Sequence, residues 1–348
     1  MKKKRNSTFV DNLITYLIVI VAFVAVALLQ NAGMISRSLK GQLVPICVYI
    51  VMAVSLNLVV GISGELSLGH AGFMSVGAFA GAIFCMATQD GIADPTVRLI
   101  LGMLVGGVFA GIMGVIVGVP VLRLQGDYLA IVTLAFGEII RNVLNCVYVS
   151  NDAGQLYFGF NNPSLPGKLI VNGPQGAQGL TRISTFTMGF CLIMFTLIVV
   201  LNLINSRSGR AMMALRDNRI AAESVGISVT KYKLMAFVTS AVLAGMAGTL
   251  FGMNFSTFTA SKFKFDTSIL VLVFVVLGGI GNIRGSVIAA ALLTVLPEVL
   301  REFGDYRMLI YAIVLIAVML LGNAPVVRQV LERIRPAKKE AVKDGDAA

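Results

Sequence analysis

From Leu13 to Leu29 the chain carries no charged side chain, and apolar runs of similar kind recur as far as residue 322. A helix needs about 20 predominantly apolar residues to cross the hydrocarbon core of a bilayer. In lipid the backbone must satisfy its own hydrogen bonds, which leaves helices and closed barrels as spanning structures. Runs this long are helical in length, not strand-like, so the expected fold class is all-α: a polytopic transmembrane helix bundle. Ten spans fit best, near 12–30, 42–61, 69–88, 98–120, 127–149, 184–205, 233–253, 267–282, 286–301 and 307–322. The eighth and ninth are short, which points to broken or re-entrant helices.

Charge content excludes the alternative of a soluble domain. Only 13% of the 348 residues are charged and 57% are hydrophobic, against about 25% charged in soluble domains. The 36 glycines suit close helix packing in a membrane. The net charge of +11 does not indicate nucleic acid. The basic residues gather at Lys2 to Arg5, Arg207 to Lys233 and Arg328 to Lys343, beside or between apolar runs, as the positive-inside rule requires. With ten spans, an N-in and C-in arrangement places Lys and Arg inside over outside by two to one. This divides the chain into a cytoplasmic N-terminal tail (1–11), a membrane domain (12–325) and a cytoplasmic C-terminal tail (326–348). A signal peptide is the alternative for the N-terminus, but the run to Leu29 reads as a retained first helix.

Two connections are long. Residues 150–183 are rich in Gly, Asn, Pro and Gln and read as an external loop with a short surface helix. Residues 206–232 read as a cytoplasmic loop. Its Ala, Met, Leu, Arg and Glu favour helix, Gly226 can stop that helix, and Met212, Leu215 and Ile220 can form one apolar face. Such a helix suits docking onto a soluble partner or lying on anionic lipid.

One segment is odd for a membrane protein. Around Gly61, Gly64, Gly69 and Gly72 stand Glu65, Ser67 and the chain's single histidine, His70. Glycines permit sharp turns, and broken backbone at membrane depth is tolerated only inside protein or beside a water-filled cavity. Asn57 and Ser67 either line a path or satisfy backbone groups freed at the break. His70 is either a pH-sensitive gate or a structural hydrogen-bonding residue. Gly278 to Ser286 echoes this break at the end of another apolar run, and paired breaks can mark a transport path. Glu138 and Arg141 lie three apart on one predicted helix and can form an ion pair. Cys47, Cys85, Cys146 and Cys191 show neither metal nor disulfide spacing and read as small buried hydrophobes. No phosphate-binding loop, catalytic set or metal cluster is present in the sequence, so no catalytic residue, metal or cofactor is expected.

The segment Ser-Leu-Gly-His-Ala-Gly-Phe with its flanking glycines resembles the signature of the branched-chain amino acid permease family. The resemblance continues through Gly126-Asp127-Tyr128-Leu129-Ala130, Thr133 to Phe136, Ser208-Gly209-Arg210, Leu215-Arg216-Asp217-Asn218, Ala221-Ala222-Glu223 and Gly278 to Asn282. It covers about residues 50–300, and length and the external loop favour a LivM-type subunit. The resemblance implies an ATP-binding-cassette importer with two ATPase subunits, a second, LivH-like permease and an external substrate-binding protein, in the bacterial plasma (inner) membrane. It also implies ATPase coupling through Arg210, Leu215, Arg216, Asp217, Asn218, Ala221, Ala222 and Gly226, although Ile220 stands where such loops usually carry Glu. A substrate pathway near Asn57, Gly64, Ser67, Gly69, His70, Gly279 and Gly281 is the matching expectation. Leucine, isoleucine and valine are the expected solutes; urea and amides, nucleosides or sugars are the alternatives within the family. An ion-driven secondary transporter is the alternative outside it.

Overall fold

The computed structural model describes residues 2–32, 36–124, 126–152, 155–161, 165–306 and 309–316. The chain divides into two units, residues 1–298 and 299–348. The first opens with α1 (Lys2–Asn31) and α2 (Arg37–Asn57), which runs on as a π-helical stretch, Leu58–Ser63. Then follow α3 (His70–Ala87), α4 (Pro95–Val121) and α5 (Asp127–Asn145). After a small sheet come α6 (Phe186–Asn205), the short pair α7 (Arg207–Asp217) and α8 (Arg219–Ser224), α9 (Val229–Gly252), α10 (Phe265–Gly278) and α11 (Ile283–Val299). In the second unit, a 3-10 stretch spans Leu300–Tyr306 and residues 309–316 are helical. The rest of the tenth expected span and the C-terminal tail lie outside the described residues.

Local sequence sets the helix starts. Asp94 accepts from the Thr96 N–H at 3.1 Å, with Pro95 in the first turn of α4. Thr185 accepts from the Met188 N–H at 3.3 Å at the start of α6. Each side chain satisfies one of the donors a helix start leaves orphaned, and Pro at the first position sacrifices none.

Among the described residues, six helical segments are long and apolar enough to cross a membrane: Leu13–Gln30, Leu39–Ser63, His70–Ala87, Pro95–Val121, Phe186–Asn205 and Val229–Gly252. The chain is therefore a polytopic helical membrane protein. The helices at three other expected spans fall outside this group. α5 stops at Asn145, α10 has 14 residues and α11 has 17.

Small residues set the bundle core. Thr249 of α9 donates to the Gly77 carbonyl of α3 at 2.8 Å. A Cβ on Gly248 would strike the Met74 carbonyl, and one on Gly245 would strike Ala110 and the Gly106 carbonyl. α3, α4 and α9 thus approach almost backbone to backbone, where dispersion and an interhelical hydrogen bond replace the hydrophobic drive that lipid lacks. Nearly all of α2 is buried, whereas α1 is peripheral and exposes Leu17, Val21 and Leu28. Phe23 of α1 stacks on Phe186 and Phe190 of α6, with centroids 5.0 and 4.0 Å apart.

The expected all-α class needs one correction. Residues 147–172 contain a three-stranded antiparallel sheet, β1 (Val147–Asp152), β2 (Gln155–Phe160) and β3 (Lys168–Asn172), in the order β2-β1-β3. Val-Tyr-Val and Leu-Tyr-Phe are strand-forming triplets, and the ladder satisfies their backbone. A short 3-10 turn, Gly173–Gln175, is the helical piece of this loop. Ala177 then exchanges backbone hydrogen bonds with Phe258 at 2.9 and 3.1 Å, seating the loop on the segment after α9. A second correction concerns the cysteines. All four are free, but Cys191 is exposed on α6 and Cys146 is half-buried; only Cys47 and Cys85 are buried.

Candidate functional site

The two glycine-rich breaks, far apart in sequence, meet. The first is the end of α2. Its last turns widen into the π-helical stretch, and Gly64 turns the chain out with φ +76°, a left-handed conformation that favours glycine. The second follows α10, where Gly279 and Gly281 have φ +91° and +83°. Asn57 joins them. Its Oδ1 accepts from the Gly281 N–H at 2.8 Å, and its Nδ2 donates to Ser286 Oγ at 2.8 Å. Asn57 is fully buried, and both ends of its amide are used. A Cβ on Gly61 would collide with Asn57 Oδ1 and the Gly281 backbone, so the close approach requires glycine at 61, while Gly281 is favoured by its left-handed φ.

The 206–232 segment reaches the same place. Arg216 of α7 donates through Nη1 to the Gly61 carbonyl oxygen at 2.6 Å, and its stem lies against Gly64. Its Nε and Nη2 donate to Asp217 Oδ1 at 3.2 and 3.1 Å. Gly61 lies in the last turn before the helix ends, where carbonyls lack intrahelical partners and a cation complements the helix dipole. Beyond Gly64, Glu65 is ion-paired with Lys233 at the start of α9.

The remaining signature residues serve a different contact. Leu68 N–H donates to Thr133 Oγ1 and Ala71 N–H to Ser268 Oγ, each at 3.0 Å. A Cβ on Gly69 would strike the Thr133 carbonyl. His70 is buried, with Nε2 at 2.8 Å from Ser55 Oγ. Ser55 Oγ also stands 3.0 Å from the Met52 carbonyl; when its hydroxyl donates there, Nε2 carries the proton of the shared bond. Ser67 is buried and its hydroxyl finds no partner among the described residues. The expected pathway residues therefore form two groups: Asn57, Gly64, Gly279 and Gly281 around the joint, and Ser67, Gly69 and His70 against α2 and α5.

The expected coupling residues form one segment but two helices. Asn218, with ψ 103°, ends α7 and caps α8, accepting from the Ala221 N–H at 3.0 Å. Leu215 and Ala222 pack with Val229, and Met212 is also buried. Ile220 is not on that face, contrary to the single-helix expectation; the cap at Asn218 resets the helical phase and turns Ile220 outward, 81% exposed, with Val225 at 74%. Arg210 donates to the Asn205 carbonyl at 3.0 Å. Ala221 is exposed, and Gly226 follows α8 with φ +83°.

Several residues of this site were absent from the sequence expectations. The sequence marks Lys233 only within a basic cluster and Thr133 only within a motif of the resemblance, and it singles out neither Ser240 nor Ser268. Ser240 donates to the Ser55 carbonyl at 2.6 Å. Glu138 and Arg141 form their ion pair at 2.7 Å, and Glu138 Oε1 also accepts from the Phe265 N–H at 3.3 Å.

A separate crevice of about 510 Å³ lies between α1, α2, α6 and α11, lined by Phe23, Leu43, Cys47, Phe190 and Val287 among others. Its wall is apolar throughout. It offers a charged solute no hydrogen-bonding partner, and burying unpaired charge is costly, so the crevice is not a route for hydrophilic solutes. No group of three or more His, Cys, Asp or Glu suited to a metal occurs among the described residues.

The model of the family described as "Branched-chain amino acid transport system / permease component" matches residues 38–320. The chain belongs to this family. It is 33% identical over 343 residues to the high-affinity branched-chain amino acid transport system permease protein LivM of Escherichia coli, covering 88% of this chain and 74% of that protein. It is 25% identical to the probable branched-chain amino acid transport permease protein LivM of Methanocaldococcus jannaschii, over 74% of this chain and 80% of that protein. A nucleoside ABC transporter permease protein, NupC of Lactococcus lactis, is 25% identical over 56% of this chain and 62% of its own length. No solved structure matches the chain. Membership makes it a multi-pass transporter subunit and not an enzyme.

Proposed function

We propose that this chain is the permease subunit of an ATP-binding-cassette importer for leucine, isoleucine and valine, forming half of the translocation pathway in the plasma (inner) membrane. The observation that carries the reading is the bond from Arg216, in an exposed docking segment, to the Gly61 carbonyl inside the broken transmembrane helix. A mechanical input and a hinged membrane segment are thereby in direct contact. The higher identity to LivM of Escherichia coli, 33% against 25% for the nucleoside permease, favours branched-chain amino acids over nucleosides.

In this arrangement two ATPase subunits, a LivH-like second permease and an external binding protein complete the importer. The ten crossings are the six long helices, α5, α10, α11 and residues 307–322, with both termini cytoplasmic. Residues 150–183 then face outward and 206–232 inward, the tails 1–11 and 326–348 are cytoplasmic, and α8 presents Ile220 and Val225 to an ATPase groove. The joint around Asn57, Gly64, Gly279 and Gly281, with Ser67, Gly69 and His70, borders the pathway.

Two measurements test this. Ile220→Glu is expected to abolish co-purification of the ATPase subunits while the permease itself keeps its thermal stability; undiminished co-purification rejects α8 as the docking element. Calorimetry on the cognate binding protein is expected to show binding of leucine, isoleucine and valine, and a flat response to all three rejects the substrate.

A further inference from the structure

The docking segment is fastened to the broken helix at two points, one on each side of α8. Arg216 precedes α8 and grips the Gly61 carbonyl. Lys233 follows α8 and is paired with Glu65. Gly61 and Glu65 belong to one short stretch, the end of the π-helical turn and the start of the non-helical link to α3. We infer that Arg216 and the Lys233–Glu65 pair are positioning residues that make α7, α8 and the 61–65 stretch move together, converting displacement of α8 into movement of the glycine joint. The inference rests on the reading of α8 as the ATPase-docking element and names the residues through which that docking acts.

The physical case has three parts. First, α7, α8 and the start of α9 form a small packed body, because Leu215, Ala222 and Val229 share one apolar cluster with Ile227 and Tyr232 against it. Pushing on Ile220 or Val225 therefore moves Arg216 and Lys233 together. Second, the apolar contacts within that body are non-directional, whereas the two polar tethers are directional. The Arg216 bond is charge-assisted. The Lys233 and Glu65 side chains are only 12% and 10% exposed, and separating them strands a buried charge. Third, the stretch they hold is the part of α2 with the weakest internal order. Gly64 is left-handed, and residues 64–69 form no regular helix. Asn57, one turn before Gly61, is the contact at which that movement meets Gly281.

The experiment uses the full importer in proteoliposomes, with radiolabelled leucine as the probe and ATP hydrolysis measured in the same samples. Arg216→Ala, Glu65→Lys and Lys233→Glu are each expected to lower the leucine taken up per ATP hydrolysed by roughly tenfold, within the usual span of a coupling free energy, while the ATPase subunits still co-purify. Arg216→Lys, which keeps the charge, recovers part of the ratio, and the double swap Glu65→Lys with Lys233→Glu recovers most of it. Unchanged uptake per ATP in the single variants overturns the inference. So does loss of ATPase co-purification in those variants, which would make the residues part of the docking face. A double swap no better than its parents overturns the role of the ion pair. Should Arg216→Ala fail to fold, the milder Arg216→Lys and Glu65→Gln variants carry the same comparison. Wild-type uptake that proceeds without ATP rejects the importer itself, an outcome separate from all of these.

Discussion

Asn57→Ala tests the joint between the two breaks most directly. The substitution removes an acceptor from the Gly281 N–H and a donor to Ser286 Oγ, both at 2.8 Å. The two consequences differ. Ser286 keeps a hydrogen bond to the Asn282 carbonyl at 3.2 Å, so only the net value of one neutral bond is lost there. The part-buried Gly281 N–H loses the acceptor it has, and a donor left unpaired costs about 1–3 kcal/mol where water cannot reach it. Together these predict destabilisation by about 2–3 kcal/mol. Ser286→Ala leaves the Gly281 bond intact but removes the acceptor of the fully buried Asn57 Nδ2, and is expected to cost about 1–3 kcal/mol. A double-mutant cycle between positions 57 and 286, read by unfolding the purified permease in mixed micelles of increasing SDS fraction, isolates the Asn57–Ser286 term. Its expected size is about 0.6 kcal/mol with a ceiling near 1.7 kcal/mol, the range for interhelical hydrogen bonds in membranes. A cost for Asn57→Ala below about 0.5 kcal/mol together with zero coupling would refute the joint, since no fully buried, doubly bonded amide should be that cheap to remove.

Glycine substitutions should separate by site. Gly248→Ala drives a Cβ into the Met74 carbonyl and is expected to destabilise by about 1–3 kcal/mol, whereas Gly41→Ala, helical and in open space, should stabilise by about 0.5–1 kcal/mol; the same micelle titration reads both. Gly226→Ala meets open space but holds φ +83°, so it should cost about 1–2 kcal/mol from backbone conformation alone, and a neutral result would show that the turn relaxes freely. An apolar, membrane-permeant thiol reagent should label Cys191 first and leave Cys47 and Cys85 unmodified until the fold is lost, as read by intact-mass spectrometry.

The helical bundle was legible because charge poverty and run length are statements about the whole chain, and lipid leaves few ways to satisfy them. The break near Gly64 was legible for a similar reason: glycines, a carboxylate and a histidine crowded between two apolar runs need buried partners or a water-filled cavity. The sheet was not, since its strands are short and embedded in Gly, Asn and Pro, whose turn chemistry dominated the composition of residues 150–183. Ile220 was placed on the wrong face because a single helical phase was assumed across 207–226. Asn218 interrupts it, and an Asn inside a helix-prone run reads equally as interior or cap. The Asn57–Gly281 and Lys233–Glu65 contacts join residues separated by 224 and 168 positions. Periodicity reports which face a residue occupies, and carries no information on which distant residue shares it.

The unequal strength of these contacts bears on how such a device would work. Asn57 holds the two breaks together with neutral hydrogen bonds, and removing its side chain costs about 2–3 kcal/mol. The Lys233–Glu65 tether is charged and largely buried, and removing one partner from such a pair typically costs about 3–5 kcal/mol. Arg216 adds a charge-assisted bond, weakened by its partial exposure but aligned with the end of the helix. A force applied at α8 therefore meets its firmest attachments first, between the docking segment and residues 61–65, and its softest afterwards, between the two breaks. Under load the soft joint yields before the tethers slip. The order of these strengths assigns the moving boundary to the Asn57–Gly281 contact, and it predicts that weakening Asn57 eases that movement whereas weakening Lys233 uncouples it. Parallel measurement of leucine uptake per ATP in Asn57→Ala and Lys233→Glu importers distinguishes the two. The ratio should fall far more in Lys233→Glu, and an equal fall in both would show that the joint and the tethers carry load alike.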